Sequence, residues 1–168
     1  PIIFGKSIAE YTFNKEENCI YKGISSIKYL NTQVAKELYD LSQQKEYKDF
    51  IDLLNDIKNT SIDSRQLRIL TILKFFRQFG KNKKLLEIID IYDNLAHRKQ
   101  INFKDINKLG IKEDILKKYC AKTTGTLYKE IDIIGYIREI IKDIEDKSLS
   151  IKEQIKYEME YLEYIEYK

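Results

Sequence analysis

Apolar residues recur along most of this 168-residue chain at intervals of three and four, the spacing that turns one face of an α-helix toward a core. Val34, Ala35, Leu38 and Leu41 form the first such series, behind a turn and N-cap at Leu30-Asn31-Thr32. Tyr47, Phe50, Ile51, Leu54 and Ile57 predict a second helix, closed by Asn59-Thr60-Ser61. Leu67, Leu70, Leu73 and Phe76 predict a third, ending at Phe79-Gly80, where glycine takes a left-handed cap. Leu85, Ile88, Ile89 and Tyr92 start a fourth. The first 22 residues differ: Ile8–Phe13 and Cys19–Lys22 are short β-prone runs flanking Asn14–Asn18, which predicts a small hairpin.

Past Arg98 the period weakens. Asn102–Asp105 predicts a short helix, Gly110 a break before a helix over Glu113–Tyr119, and Lys122–Gly125 a loop. Tyr128 to Ile144 reads as one long amphipathic helix with Ile133, Ile134, Ile137, Ile140 and Ile141 as its stripe. Ser150-Ile151-Lys152-Glu153 is a capping box. The helix it opens carries Ile155, Met159, Leu162 and Ile165, and its tyrosines Tyr157, Tyr161 and Tyr164 share a face, with Tyr167 beyond. That stripe suits stacking of bases or packing on a neighbouring domain, and packing is the reading adopted.

Composition narrows the class. With 43% hydrophobic and 34% charged residues the chain suits one domain or two small globular modules. No apolar run reaches the length of a membrane-spanning helix. The start, Pro-Ile-Ile-Phe, has neither Met nor a signal pattern, so the sequence reads as a fragment of a longer cytoplasmic protein. Cys19 and Cys120 stand far apart and, with the single His97, supply no zinc site or disulfide framework; they read as reduced thiols. No cofactor is implied for the fragment.

Charge is uneven. Residues 1–85 hold 15 basic and 10 acidic side chains, and the remainder 15 and 17. Between Asp63 and Glu87 lie Arg65, Arg68, Lys74, Arg77, Lys81, Lys83 and Lys84 without one acid. Seven unopposed cations suit a polyanion or a solvated helix face. Position favours the polyanion: Gly80-Lys81-Asn82-Lys83-Lys84 falls where a turn enters a helix, and amide donors there favour phosphate. The spacing is not that of a Walker loop.

These residues carry a resemblance. Phe13, followed by Ile20-Tyr21-Lys22-Gly23-Ile24-Ser25-Ser26-Ile27-Lys28, is similar to the segment that opens the tandem helix-hairpin-helix module of bacterial DNA polymerase III alpha subunits, the C-family replicases. Val34–Leu38 continues it, Tyr47–Leu54 resembles the family's next helix, and Ser64–Leu67 through Phe76–Gly80 resembles the one after. The tail from Glu153 to Tyr164 resembles the helix that precedes the family's OB-fold domain. Two departures stand out. Tyr29-Leu30-Asn31 replaces the family's Gly-Val-Gly hairpin, and Lys74 stands at another family glycine, while Gly80 is kept.

The resemblance implies a mainly α fold with a small N-terminal β-hairpin, in two modules: a helix-hairpin-helix module over 1–86 and a helical connector over 87–168. It implies a non-catalytic piece of a DNA-directed DNA polymerase, a nucleotidyltransferase of DNA replication, that grips primer–template duplex DNA through its phosphates without reading sequence. The family's palm aspartates are missing; Glu130-Ile131-Asp132 and Asp90-Ile91-Tyr92-Asp93 fall in helical patterns instead. The expected phosphate contacts are the hairpin Lys28, Tyr29, Leu30, Asn31 and Thr32 with Lys36, and Arg77 with the turn Gly80, Lys81, Asn82, Lys83 and Lys84. Expected partners are duplex DNA, the rest of the polymerase chain, and a sliding clamp or other replisome protein. Gln100-Ile101-Asn102-Phe103 is one residue short of the family's clamp-binding spacing, and Ile101 and Phe103 read as packing at the start of a helix. The competing reading is a helical protein–protein module whose hairpins are structural; a stand-alone DNA-binding accessory protein is the third.

Overall fold

The structure, a computed structural model, describes residues 1–162. The positions Glu163, Tyr164, Ile165 and Tyr167 of the sequence reading lie outside the described residues. In chain order the strands are β1 (Thr12–Asn14), β2 (Cys19–Tyr21), β3 (Ile101–Asn102), β4 (Cys120–Thr123) and β5 (Leu127–Ile131). The helices are α1 (Thr32–Gln44), α2 (Phe50–Ile57), α3 (Ser64–Ile72), α4 (Asn82–Leu95), α5 (Glu113–Leu116), α6 (Ile133–Ile140) and α7 (Ile151–Leu162). The fold is mainly helical, with the small N-terminal hairpin and a second small sheet.

The chain divides into two compact units. Where the sequence reading groups 87–168 together, among the described residues the structure joins 146–162 to 1–86, and leaves Glu87–Glu145 as the second unit. α4 begins in the first unit and continues into the second.

In the first unit the helix starts are set by side chains. Asn31, Asp49 and Asp63 accept the amides of Val34, Asp52 and Gln66, and Asp63 with Gln66 forms a full capping box. The core is aromatic at its centre: the Phe75 and Phe76 rings lie 4.9 Å apart, Phe50 is 5.4 Å from Phe76, and Phe4 is 5.9 Å from both Phe75 and Phe76. The hairpin pairs Thr12 with Tyr21 and Phe13 with Ile20. Its first strand is shorter than the β-prone run, because Ile8 and Ala9 turn aside to accept the amides of Ile24 and Ser25.

That crossing explains Gly23. A Cβ there would stand 2.6 Å from the carbonyl oxygen of Ala9 and 2.9 Å from Cα of Glu10, both backbone atoms that cannot swing away. Gly23→Ala is therefore expected to cost about 2 kcal/mol of stability, read as a lowered midpoint in urea unfolding followed by circular dichroism. An unshifted midpoint would show that the 8–10 segment yields freely.

The third helix also ends earlier than its apolar series. Phe75 N–H donates to Leu70 O and Lys74 N–H to Thr71 O, each at 3.0 Å, with Lys74 left-handed at φ +66°. This is the double-bonded cap that glycine usually closes, and buried Phe75 and Leu70 supply its hydrophobic contact.

The second unit holds an antiparallel sheet in the order β3-β5-β4. Here the sequence reading is corrected: Lys122 and Thr123 belong to a strand, 124–126 alone forms the turn, and the start of the expected helix, from Tyr128, lies in the returning strand Leu127–Ile131. Tyr128 and Ile131 are buried at a spacing that suits a helix equally well, so periodicity misassigned them. Asp132 then caps α6 through the amide of Gly135. Tyr136 is fully buried, and its hydroxyl accepts the Lys112 amide at 2.9 Å. Tyr128 donates to Glu113 at 2.7 Å, and that carboxylate pushes the phenol up to about 12, so it remains a donor at neutral pH.

Candidate nucleic-acid interface

The first turn of interest follows a single 3-10 turn, Ile24–Ser26. Ile27 and Leu30 are buried and anchor it, and Leu30 N–H closes it onto Ile27 O at 3.1 Å. Between them Lys28 and Tyr29 stand exposed. Tyr29 adopts φ +70°. The backbone thus keeps the left-handed shape that glycine favours, although the residue there is a tyrosine. Asn31 and Thr32 are exposed at the start of α1, and Asn31 serves as its cap. Lys36 lies one turn further on the exposed side of α1, beside a shallow depression shared with Thr32, Tyr39 and Asp40.

Arg65, from the first turn of α3, completes this end of the unit. Its guanidinium carbon lies 3.6 Å over the Tyr29 ring, with Lys28 Nζ 5.4 Å from the same centroid. Gln66 donates to the Tyr29 carbonyl at 3.2 Å, tying α3 to the turn. Among the described residues neither Lys28 nor Arg65 has an ion-pair partner. Arg65 stood in the basic stretch of the sequence but outside the expected contacts; only the packing of α3 beside the turn brings it there.

The second turn is built differently. Gly80 sits at φ +148° and leads into α4. The Lys81 amide donates to the Asp146 carboxylate at 2.8 Å, and those of Lys83 and Lys84 to Lys147 O at 3.1 and 3.3 Å. These three donors are spent within the chain. Asn82 is interior rather than surface, at 3% exposure: its amide donates to Ile72 O and Gln154 Oε1 and accepts the Leu149 amide. Arg77 is exposed but tethered, donating to Lys74 O and Ile2 O. What this turn offers outward is the side chains of Lys81 and Lys83, with Lys84 half-buried.

The segment after Asp146 touches both turns. It caps the start of α4, then α7 carries it along α3 to the first turn, where Tyr161 O accepts the Lys28 amide at 3.1 Å. From Ile151 to Tyr161 is about 15 Å of helix rise. The Tyr161 ring meets Tyr29 edge-on, 6.4 Å away at 76°, and Tyr157 lies parallel to Tyr161 at 6.1 Å.

Residues 5–86 match the family model described as a helix-hairpin-helix motif. The first unit carries a helix-hairpin-helix motif. Over 83% of its length the chain is similar to the DNA polymerase III subunit alpha of Campylobacter jejuni subsp. jejuni serotype O:2, with 27% identity over 174 aligned residues that make up 14% of that protein. The resemblance read from the sequence thus stands, and the chain corresponds to a small part of its relative's length. Of the three family glycines that the sequence reading finds replaced, Tyr29 and Lys74 keep a left-handed backbone at φ +70° and +66°, whereas Asn31 is extended at φ −143°. Among the described residues no group of three or more His, Cys, Asp or Glu could hold a metal, and no helix is long and apolar enough to cross a membrane. Ile101 is buried in β3, while Phe103 is partly exposed with its ring 4.8 Å from Tyr128.

Proposed function

We propose that the helix-hairpin-helix unit binds the primer–template duplex of a replicating DNA polymerase, through backbone phosphates and without base recognition. The observation that carries the reading is the set of exposed cations Lys28, Arg65, Lys81 and Lys83 at two turns of a helix-hairpin-helix motif. Side chains rather than amides supply most of the contact, since the amides of Lys28, Lys81, Lys83 and Lys84 are engaged internally. As part of a longer polymerase chain, the unit would hold product duplex near an active site contributed elsewhere, adding grip and no chemistry. Phosphate binding by lysine and arginine displaces condensed counterions, so affinity falls as salt rises.

The test is anisotropy of a labelled primer–template duplex across about 50 to 200 mM salt. Four phosphate contacts predict a log–log slope of about −3.5, the same for duplexes of unrelated sequence. Failure to bind at low salt would overturn the reading. It would favour the second one, a helical protein–protein module, which the internal engagement of the Lys28, Lys81, Lys83 and Lys84 amides supports.

A further inference from the structure

We propose that the Tyr29 turn is also a stacking site for an unpaired nucleobase, so that this end of the unit takes single-stranded nucleic acid as well as duplex phosphates. The inference rests on the reading of the unit as a nucleic-acid binder and specifies its ligand at one turn.

Three observations converge. First, Tyr29 is held at φ +70°, a conformation that costs a bulky L-residue about 1 to 2 kcal/mol. Yet its ring is not used as core, for the residue remains 43% exposed. Second, the Arg65 guanidinium carbon lies 3.6 Å from the centre of the ring, and no carboxylate within ion-pair distance takes up its N–H groups among the described residues. A cation held on an aromatic with its donors open is suited to a phosphate adjoining a stacked base. Third, the aromatic surface continues past Tyr29. Tyr161 lies against its edge, and Tyr157 extends the patch with a ring within 2° of parallel to that of Tyr161. Both are partly accessible on α7.

Duplex DNA presents phosphates to such a surface but keeps its base faces stacked inside. Unpaired bases expose their faces, and aromatic side chains beside cations are what bind them without regard to sequence. A smooth hairpin of Gly-Val-Gly type offers only backbone; a tyrosine at its apex adds a ring beside the cations.

The experiment uses the whole chain and three labelled probes: a short thymidine oligonucleotide, an abasic oligomer with the same number of phosphates, and the primer–template duplex. The thymidine strand is expected to bind about tenfold tighter than the abasic one, the scale of one base–aromatic stack. A 2-aminopurine placed in the strand is expected to lose fluorescence on binding. Tyr29→Gly removes the ring and suits the left-handed backbone, and should erase both the tenfold preference and the quenching; Tyr29→Phe should keep both. Equal affinity for thymidine and abasic strands, with salt-dependent duplex binding intact, overturns the stacking site and leaves the phosphate reading standing. If none of the three probes binds, both fall. Tight thymidine binding that Tyr29→Gly leaves unchanged also overturns the assignment to this turn.

Discussion

Changing Lys28, Arg65, Lys81 and Lys83 together to Glu is expected to lower affinity for a primer–template duplex by at least about 4,000-fold near 0.1 M salt. Each phosphate contact by a cation contributes close to one factor of ten at that salt through counterion release, and four contacts multiply. Reversing the charges adds repulsion to the loss. The fold should survive, because all four side chains are exposed and none has an ion-pair partner among the described residues. Arg65 and Lys28 give up their contacts with the Tyr29 ring, for about 1 kcal/mol each. The variant should therefore keep its helical circular dichroism and a urea midpoint close to the parent's, while anisotropy shows the loss. A folded variant that binds within tenfold of the parent would place the duplex elsewhere on the surface.

Asn82→Ala is expected to lower the free energy of unfolding of the first unit by about 3 kcal/mol. Asn82 is one residue, but it serves three segments. Its side-chain amide donates to Ile72 O at the end of α3 and to Gln154 Oε1 on α7, and its carbonyl oxygen accepts the Leu149 amide. Ile72 O keeps a second donor in Gln154 Nε2, so it is not orphaned. The Gln154 oxygen and the Leu149 amide lose the partners described for them. Gln154 is 2% exposed and water cannot readily replace the bond. The loss should be local before it is global, with faster hydrogen exchange in 146–162 than in α1 or α2. Urea unfolding with peptide-level exchange reads both effects; a cost below about 1 kcal/mol, or uniform exchange, would show that the 146–162 segment is held by packing alone.

The site was legible in the sequence to the extent that it is local. The acid-free run from Arg65 to Lys84 is visible in composition, and Asn31, Asp49 and Asp63 announce their helices because a cap bonds only two or three residues ahead. The hairpin of β1 and β2 follows from its alternation and turn. The second sheet was missed because Tyr128, Ile131 and the isoleucines after them satisfy a helical period as well as a strand; Thr124-Gly125 between two short β-prone runs was the available sign of a hairpin. Asn82 illustrates the opposite failure. Among lysines at a helix start it reads as a surface donor, and nothing within ten residues shows that Leu149 and Gln154 come to meet it.

Sequence by itself therefore determined the helical class, the N-terminal hairpin, the helix starts and the presence of a cationic stretch, all of which arise from interactions between near neighbours. Only the tertiary structure decided which of those cations and amides remain available. The return of the chain at Asp146 spends the amides at the start of α4, and the packing of α3 and α7 brings Arg65 and Tyr161 to Tyr29. Hydrogen-bond capacity is finite, and a buried donor must be satisfied by whichever acceptor the fold delivers, however distant along the chain. Availability of a surface group is thus a property of the folded unit, which no local pattern contains.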